Sequence, residues 1–525
     1  MDLMLTLNFK LVTMKIKNII YTSLLALSVV SCSKDTFNEI NTDPNRPAAV
    51  PTPSLLLSAE RQVMNALRSE SINFRGAQLF AQYFSQNIYT DQSRYLISAG
   101  YSDEYWTNTY KALNNLNEII ILNEDESTKI QAQANGAGAN STQIAISRIL
   151  KSFAFHSLTD VFGDIPYESY GNKDADFEAL KRNPDILTPK YASQEKIYKD
   201  ILNELKSAAD TLAKYKSGIT FGNSDIIYQG KNEKWFKFAN SLRLRLANRI
   251  LNKDRALATQ HIQDAIEKGV FTSNDDNAGF VYSTGSPYEA PLFRATVTAN
   301  RKDFAVSKVL VDVLKGEKGP FKFADPRLSK YAKPNSKNVY KGQPYGLPLA
   351  AGNLFPIDSV SLPGEVINKA NANEVLQEYA EVEFLISEFK GWEQSSYEKG
   401  VKASLERWGA SAAEVSTYLG KLPAANKENV LSQKYLALYG QGIESWSEIR
   451  RTGYPLFLVK KGDVVWSGTI EGKPVSYTFV PEIGNEIPSR LVYPLKEQST
   501  NKANYQSALG NQGDDVQFTK LWWNR

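Results

Sequence analysis

The one cysteine of the chain, Cys32, lies where a signal peptide would end and a lipid could be attached. Lys15 and Lys17 precede an apolar run from Ile19 to Val30, and Ser31 stands just before the cysteine. A basic segment, a short apolar run and a small residue before the cut are typical of a secretory signal. A cysteine directly after that cut is typical of bacterial lipoproteins, in which its thiol is diacylated. The spacing therefore predicts lipid attachment at Cys32.

Two other interpretations of this segment are a buried core helix and a signal peptide with an incidental cysteine. The apolar run is shorter than the roughly 20 residues that span a bilayer, and the polar stretch Ser33–Asn45 follows it at once, which favours a lipoprotein leader. Met14 is a more natural start than Met1, so the residues before it are an extended leader or a misassigned start. We predict a signal peptide over 1–31, a lipid anchor and polar tether over 32–53, and a folded body over 54–525.

Few of the remaining residues could carry catalysis. Beyond Cys32 there is no thiol, which excludes disulfides, thiolate zinc sites and cysteine nucleophiles. The two histidines, His156 and His261, are far apart in sequence, so a histidine-rich metal centre is excluded and a Ser-His-Asp triad would need one of them. Motifs for phosphate loops, nucleophile elbows, zinc peptidases and calcium loops are absent. Carboxylates are plentiful, so a two-acid glycoside hydrolase stays open. We expect no cofactor and no metal ion.

The composition excludes further classes of protein. The 61 basic and 57 acidic residues give a net charge of +4, which argues against a nucleic-acid binder with a concentrated basic face. No later apolar run approaches the length that spans a bilayer. The chain is rich in aromatic residues, with 27 Tyr, 24 Phe and 8 Trp. Most should fill the core, but exposed Tyr and Trp would suit stacking on sugar rings or peptide groups.

Helical periodicity dominates the elements that must position these residues. In the segment 232–251, Trp235, Phe238, Leu242 and Leu246 fall on one apolar stripe. Successive helices with short links favour a mostly α-helical fold of helix hairpins of the tetratricopeptide kind, although the signature of that repeat is not visible. The predicted helices begin at Pro53–Ser54 and continue over Gly76–Asn87, Ser102–Leu122, Ser141–Phe162, Ser193–Tyr215, Asn232–Leu251, Arg255–Lys268, Asp303–Lys315, Asn373–Trp392, Ser396–Trp408, Ala412–Leu422, Asn429–Tyr439 and Glu444–Arg451.

Two long irregular regions interrupt the helices, Thr272–Asn300 and Lys318–Pro363. Loops of this length in a compact body are usually functional or disordered. Because both carry aromatic residues and neither is of low complexity, we expect them to be ordered and functional. Near the C-terminus, the alternation over Thr469–Val480 predicts a minor β-hairpin with Glu471-Gly472 at its turn.

Several longer strings, in this order along the chain, resemble the SusD/RagB family. They are Asn41-x-Asp43-Pro44-Asn45 after the lipoprotein leader, HSLTDVFGDIPY at 156–167, GIESWSEIRRTGYP at 442–455, RLVYP at 490–494 followed by Glu497, Asn501, Asn504 and Tyr505, and the tail LWW at 521–523. No single string is decisive, but their order and spacing together are specific, and the resemblance covers essentially the whole mature chain.

The resemblance implies a nutrient-binding outer-membrane lipoprotein of the Bacteroidota type, anchored by its lipid and facing the cell exterior. It implies a scaffold of four tetratricopeptide-like helix hairpins, with long loops and smaller helices that carry the ligand site. It also implies a partner, a SusC-like TonB-dependent transporter, to which oligosaccharides or, in the RagB branch, peptides are delivered without catalysis. Ser33-Lys34-Asp35 also resembles the acidic surface-export signal of such lipoproteins.

Three places combine aromatic rings with polar groups, as a surface site for soluble oligomers requires. Each has a structural alternative, since Tyr89 and Tyr95 could hold a loop on the scaffold, Phe293 could lie in the core and Trp392 could pack against Trp408. No family motif maps onto these positions. The candidate ligand-binding residues are Tyr89, Asp91, Arg94 and Tyr95 between two early helices, Tyr282, Tyr288, Phe293 and Arg294 in the first long loop, and Trp392 near a helix end.

The residues within the family-like strings have structural interpretations instead. His156 lies near the apolar face of its helix and is expected to be a hydrogen-bonded packing residue. Arg450 and Arg451 suit the C-terminus of a helix, where cations are favoured by the dipole. Asn501 and Asn504 are expected to hydrogen-bond backbone groups in an irregular tail.

Three hypotheses for the function follow. The leading one is a non-catalytic, cell-surface nutrient-binding lipoprotein. The alternatives are a surface enzyme, either a glycoside hydrolase or a peptidase, and a purely structural surface protein.

Overall fold

The computed structural model describes residues 50–181, 185–352 and 354–525, and the residues from Pro51 to Arg525 form one compact unit. The predicted signal peptide, Cys32 and nearly all of the tether lie outside the described residues. The longer helices are α1 (Thr52–Leu67), α2 (Gly100–Glu124), α3 (Lys129–Asn135), α4 (Asn140–Phe162), α5 (Gln194–Ala213), α6 (Asn232–Arg249), α7 (Arg255–Lys268), α8 (Lys308–Lys315), α9 (Tyr379–Phe389), α10 (Gln394–Arg407), α11 (Ala412–Leu419), α12 (Lys427–Ala437), α13 (Gly442–Thr452) and α14 (Lys502–Gln512).

The first seven of these helices build a scaffold in which neighbours in sequence are neighbours in space. Helix α1 packs on α2, α2 on α4, α4 on α5, α5 on α6 and α6 on α7. The predicted apolar stripe of α6 is confirmed, because Trp235, Phe238, Leu242 and Leu246 are all fully buried. Burial of such stripes against the neighbouring helices explains why the hairpins stack. The predicted mostly α-helical fold class is thereby confirmed.

A second group of helices, α9 to α12, has its own small core. Phe384, Tyr397, Val401, Val415 and Val430 are buried together there. Helix α9 also packs on α6 of the scaffold. Other residues of these helices, among them Leu385 and Tyr435, belong to the main core, so the two groups of helices share buried contacts.

Short antiparallel pairs of strands replace parts of three predicted helices. Segments 84–86 and 304–306 pair with each other, and 373–377 pairs with 278–281. The predicted helices over Gly76–Asn87, Asp303–Lys315 and Asn373–Trp392 are wrong over these stretches, because backbone pairing with distant segments overrides local periodicity. The strands are β1 (Phe84–Gln86), β2 (Ile165–Pro166), β3 (Tyr191–Ala192), β4 (Ala278–Val281), β5 (Phe304–Val306), β6 (Ala332–Lys333), β7 (Leu362–Pro363), β8 (Asn373–Gln377), β9 (Val464–Ile470) and β10 (Lys473–Thr478).

The predicted hairpin near the C-terminus is confirmed as β9–β10. Its two turn residues, Glu471 and Gly472, have φ angles of 51° and 78°. Positive φ at both central residues is the backbone of a two-residue turn that matches the strand twist.

The remaining elements are short or of unusual geometry. The predicted long loops carry short helices and strands, and the tail after Asn501 is helix α14 where an irregular segment was expected. No helix in the described ranges is long and apolar enough to cross a membrane. The remaining helical segments are a π-helix over Glu70–Ala77, a second one over Arg294–Thr298, and short helices over Gln78–Phe80, Thr90–Ser93, Gly222–Ser224, Asn274–Asp276, Pro291–Phe293, Leu328–Tyr331, Leu349–Gly352, Ile357–Ser359, Leu495–Thr500 and Trp522–Asn524.

Candidate ligand-binding site

A cavity of about 450 Å³ opens between α1, the N-terminal half of α2 and the π-helix Arg294–Thr298. Its walls carry amide, carboxylate and guanidinium groups from three separate parts of the chain. We call it the α1–α2 cavity. It is lined by Gln62, Asn65, Ala66, Ser69, Glu70, Glu104, Asn108, Pro291, Arg294, Ala295 and Ala299.

Beside this cavity, two arginines hold an exposed tyrosine ring. The guanidinium groups of Arg75 and Arg301 lie 5.2 and 5.9 Å from the ring centroid of Tyr89. The Tyr89 side chain is 44% exposed. Both arginines are in turn held by Glu70, whose Oε1 is 2.7 Å from Arg75 Nε and 3.2 Å from Arg301 Nε. Glu70 also lines the cavity, so the arginines that hold the tyrosine ring are paired with a cavity residue.

A buried carboxylate, that of Asp303, pairs with both arginines. Asp303 Oδ2 is 2.8 Å from Arg301 Nη2 and 3.8 Å from Arg75 Nη2. Burial raises the pKa of Asp303, and the positive charge of Arg75 opposes that shift. The two arginines are therefore fixed by two carboxylates, and the ring of Tyr89 rests on groups that do not need to reorganise when a ligand binds.

Local backbone structure brings these groups together. In the β1–β5 ladder, Gln86 is opposite Phe304. Tyr89 lies three residues beyond Gln86, and Arg301 lies three residues before Phe304. Since the strands are antiparallel, both residues emerge at the same end of the ladder. The third contribution comes from the π-helix Glu70–Ala77, which carries Glu70 and Arg75. Its N-cap residue, Ser69, accepts a hydrogen bond from the Ile72 amide.

The first long loop supplies one wall of the cavity. Arg294 donates from Nη2 to the carbonyl oxygen of Glu289 at 3.0 Å, and its Nε is buried without a hydrogen-bond partner. Tyr288 is 56% exposed, and the guanidinium of Arg61 lies 5.1 Å from its ring centroid. Arg61 precedes the cavity residue Gln62 on α1, and Tyr288 precedes Glu289, whose carbonyl oxygen accepts from the cavity residue Arg294.

Of the predicted ligand-binding residues, Arg294 lines the cavity. Tyr89 and Tyr288 are exposed and are linked to cavity residues through neighbouring arginines. Phe293 is half-buried beside Arg294, and Asp91 is half-buried two residues beyond Tyr89.

Other predicted residues lack the exposure that was expected of them. Tyr95 is buried, with its ring edge-on to Phe80 and Phe479. Tyr282 is buried too, and its hydroxyl donates to Asn65 Oδ1 at 2.8 Å. Both rings are packed in the interior, so neither offers a stacking surface to a ligand.

Two predicted residues lie away from the cavity. Arg94 forms an ion pair with Glu482, and the Glu482 amide donates to the Arg94 carbonyl oxygen at 2.8 Å. Trp392 packs against the small core of α9 to α12. The structural alternative for Trp392 was packing against Trp408, but Trp408 belongs to the main core, where its ring lies edge-on to Tyr331.

Several residues of the site were missed by the sequence analysis. Gln62 and Asn65 are one turn apart on α1, and Glu104 and Asn108 are one turn apart on α2. Polar pairs at this spacing share one face of a helix. That periodicity was a usable signal. The pairing of Arg75 with Arg301, which are distant in sequence, had no local signal.

The site has groups for recognition, and neither histidine lines it. His156 is buried on α4 and His261 on α7. Amides, carboxylates and guanidinium groups can donate to and accept from hydroxyl or amide groups, and a flat ring can stack on a sugar or a peptide plane. No cluster of three or more metal-ligating side chains occurs in the part of the chain that the structure describes.

Comparison with known proteins gives one family and several structures. Residues 44–477 match the SusD-like profile described as "Starch-binding associating with outer membrane". A solved chitin-binding protein is 24% identical, with 90% of this chain and 100% of that chain covered and a TM-score of 0.70. A chitin-binding SusD homologue from Flavobacterium johnsoniae is 24% identical over 90% and 98% of the two chains, with a TM-score of 0.68.

A SusD homologue from Parabacteroides distasonis is 21% identical over 90% and 98% of the two chains, with a TM-score of 0.73. At these levels of identity the solved structures show a shared fold. No curated protein matches the chain.

Proposed function

We propose that this chain, which belongs to the SusD-like family of starch-binding, outer-membrane-associated proteins, captures oligosaccharides at the cell surface without changing them. The α1–α2 cavity and the exposed ring of Tyr89, which we call the Tyr89 platform, would hold the sugar. A SusC-like TonB-dependent transporter would receive it, and a diacylated Cys32 would keep the body at the outer membrane, facing the exterior.

The single observation that carries this proposal is the exposed ring of Tyr89 beside a cavity of polar groups. The ring offers an apolar face to one side of a sugar, while Arg294, Asn65 and Glu104 offer donors and acceptors for its hydroxyl groups. Arg294 Nε is buried without a partner, so a ligand oxygen would satisfy it. The names of two structural relatives, which bind chitin, support a carbohydrate ligand.

Peptides are the second ligand class that this site suits, since guanidinium and amide groups also read peptide bonds. We therefore expect the oligosaccharide and peptide alternatives to be separated by direct binding measurements. Calorimetric titration of the purified protein with chitin-derived, starch-derived and peptide oligomers should show heat of binding for one of the two sugar series. Binding of peptides alone would contradict the proposal.

The decisive variant is Tyr89→Ala. Loss of the stacking ring should weaken binding of the responding sugar by at least about tenfold, on the order of 1.4 kcal/mol. Tyr215→Ala is a matched control, because Tyr215 is equally exposed and lies at the end of α5, outside the cavity. Equal loss of affinity in both variants would show that Tyr89 is not part of the site.

A test of catalysis belongs beside the binding measurement. We expect the oligosaccharide to be recovered intact, by mass spectrometry, after long incubation with the protein. Hydrolysis that disappears in Glu104→Gln would establish the glycoside-hydrolase alternative instead.

A further inference from the structure

A second cavity, of about 550 Å³, lies at the other half of α2. It is enclosed by the C-terminal half of α2, by α4, and by the segment from Glu168 to Lys181 that follows β2. We call it the Lys151 cavity. It is lined by Asn117, Ile120, Ile121, Glu124, Lys151, Glu168, Ser169, Tyr170, Lys173, Leu180 and Lys181.

The two cavities are separate. Glu104 and Asn108 of α2 line the first cavity, and Asn117 to Glu124 line the second. At about 1.5 Å per residue, Asn108 and Asn117 are roughly 13 Å apart along the helix axis. The second cavity therefore does not share lining residues with the site proposed above.

A buried lysine forms the base of this cavity. Lys151 is 4% exposed, and its Nζ donates to Asn117 Oδ1 at 2.9 Å. Asn117 is itself fixed, because its Nδ2 donates to the carbonyl oxygen of Leu180 at 3.1 Å. Burial lowers the pKa of Lys151 to about 8. An ammonium group carries three donors, so the Lys151 side chain can still donate to a ligand.

A carboxylate lies near this lysine without pairing with it. Glu168 Oε2 is buried and has no hydrogen-bond partner. Burial raises the pKa of Glu168, and the positive charge of Lys151 opposes the shift, so the two groups are close enough to interact electrostatically. An unsatisfied buried acceptor costs free energy that a ligand donor would recover.

An aromatic side chain forms one wall. The Tyr170 hydroxyl donates to Glu124 Oε1 at 2.9 Å, and the guanidinium of Arg148 lies 4.6 Å from the centroid of the Tyr170 ring. Arg148 is anchored by Glu204, with Nε to Oε2 at 2.8 Å. The ring is therefore held in place by two contacts on scaffold helices.

We propose that the Lys151 cavity is a second binding site, which takes a neutral ligand with adjacent hydroxyl groups, such as one sugar unit. A hydroxyl can accept from Lys151 and donate to Glu168 at the same time, and neighbouring hydroxyl groups can use both partners together. The apolar side chains of Ile120 and Leu180 complete a surface for the carbon face of such a ring.

The charges of the cavity favour a neutral ligand. Lys151, Lys173 and Lys181 face Glu124 and Glu168 around the same opening. An anion would meet the two carboxylates and a cation would meet the three ammonium groups, so either would lose much of what it gained. This site does not depend on the function proposed for the α1–α2 cavity.

The test uses the full chain with Tyr89→Ala, which removes the platform of the first site. Saturation-transfer NMR would compare methyl glucoside, glucuronate and glycylglycine as neutral, anionic and zwitterionic probes. We expect methyl glucoside to bind most strongly. Stronger binding of glucuronate or glycylglycine would overturn the proposal in favour of a charged ligand, and no binding of any probe would overturn it outright.

Variants of the cavity then localise the signal. Glu168→Gln keeps the shape of the side chain and Lys151→Met removes the ammonium group, and each should weaken methyl glucoside binding about tenfold. Lys214→Met, on an exposed lysine after α5, is the matched control and should bind as the Tyr89→Ala parent does. If Lys151→Met does not fold, Glu168→Gln alone decides, because unchanged binding in that variant would refute the site.

Discussion

At the scale of single residues, a buried arginine forms ion pairs that link three helices in the interior. Arg249 is fully buried on α6, with Nη1 3.2 Å from Asp160 Oδ2 and Nη2 2.5 Å from Glu444 Oε1. Substitution of either partner should destabilise the fold, since removing one partner of a buried ion pair typically costs about 3–5 kcal/mol. The link runs between α4, α6 and α13, so it joins Asp160 and Glu444 from two family-like strings that are distant in sequence.

Residues of those strings have the structural roles that their types predicted, with one difference at His156. His156 is buried on α4 with its ring edge-on to Phe153, and its Nδ1 lies 3.6 Å from Asp160 Oδ2, beyond hydrogen-bond distance. Packing is confirmed, and the predicted hydrogen bond is not found. Arg450 donates to the carbonyl oxygen of Asp160 at 2.9 Å. Asn501 and Asn504 donate to backbone carbonyls, as predicted.

Glu378 gives a prediction for the dependence of stability on pH. Burial raises the pKa of Glu378 to about 7, although Arg407 Nε lies 3.0 Å from its Oε1. The unfolded chain releases this proton near the ordinary pKa of 4.5 and the folded chain near 7, so this carboxyl destabilises the fold progressively as pH rises between those values.

We therefore compare the free energy of unfolding of Glu378→Gln with that of the parent. The difference should shift in favour of the variant by up to about 3 kcal/mol as the pH rises from 5 to 8. Urea unfolding at both pH values measures the difference. Glu486→Gln, on an exposed glutamate, should show no such gain. A Glu378→Gln difference that stays constant with pH would mean that Glu378 is ionised throughout.

At the scale of elements, a predicted helix agrees with the structure where it packs on neighbours in sequence and fails where the segment pairs with a distant one. Helices α4, α6 and α7 match their predicted ranges closely, because each buries its own apolar stripe against its neighbours in sequence. Segments 84–86 and 373–377 were predicted as helix and are strands, because their partners are 218 and 92 residues away, from Gln86 to Phe304 and from Val281 to Asn373. Local periodicity does not contain that information.

The β9–β10 hairpin carries a prediction at this scale. Glu471 has a φ of 51°, a left-handed conformation that Asn tolerates better than Glu. Glu471→Asn should stabilise the hairpin by about 0.5 kcal/mol, and Gly472→Val should destabilise it by at least about 1 kcal/mol. Amide hydrogen exchange within β9 and β10 reports the local change. Glu486→Asn, at an exposed position without positive φ, is the control and should leave exchange unaltered.

At the scale of the whole molecule, the proposed arrangement separates attachment from recognition. The compact unit begins at Pro51, and the predicted lipid site at Cys32 precedes it in sequence. Two acyl chains would be needed for stable anchoring, since one chain binds a membrane only marginally. All residues of the α1–α2 cavity belong to the compact unit, so loss of the lipid should leave ligand binding intact.

Cys32→Ala should move the protein from the membrane fraction to the supernatant and leave the affinity for oligosaccharide unchanged. Tyr89→Ala should do the opposite, staying with the membrane and losing affinity. Fractionation and calorimetry of both variants measure the two properties independently. Firm membrane association of Cys32→Ala would refute lipid attachment at this residue.

The sequence by itself determined the helical class, the family resemblance and the types of residue a ligand site would need. These depend on periodicity, order and composition, which are local or additive properties of the chain. Only the tertiary structure decided which rings are exposed, since Tyr89 and Tyr95 are close in sequence and yet one is 44% and the other 2% exposed. It also decided that Arg75 and Arg301 meet beneath Tyr89. Burial and long-range pairing are properties of the packed chain, because they depend on segments that the local sequence does not specify.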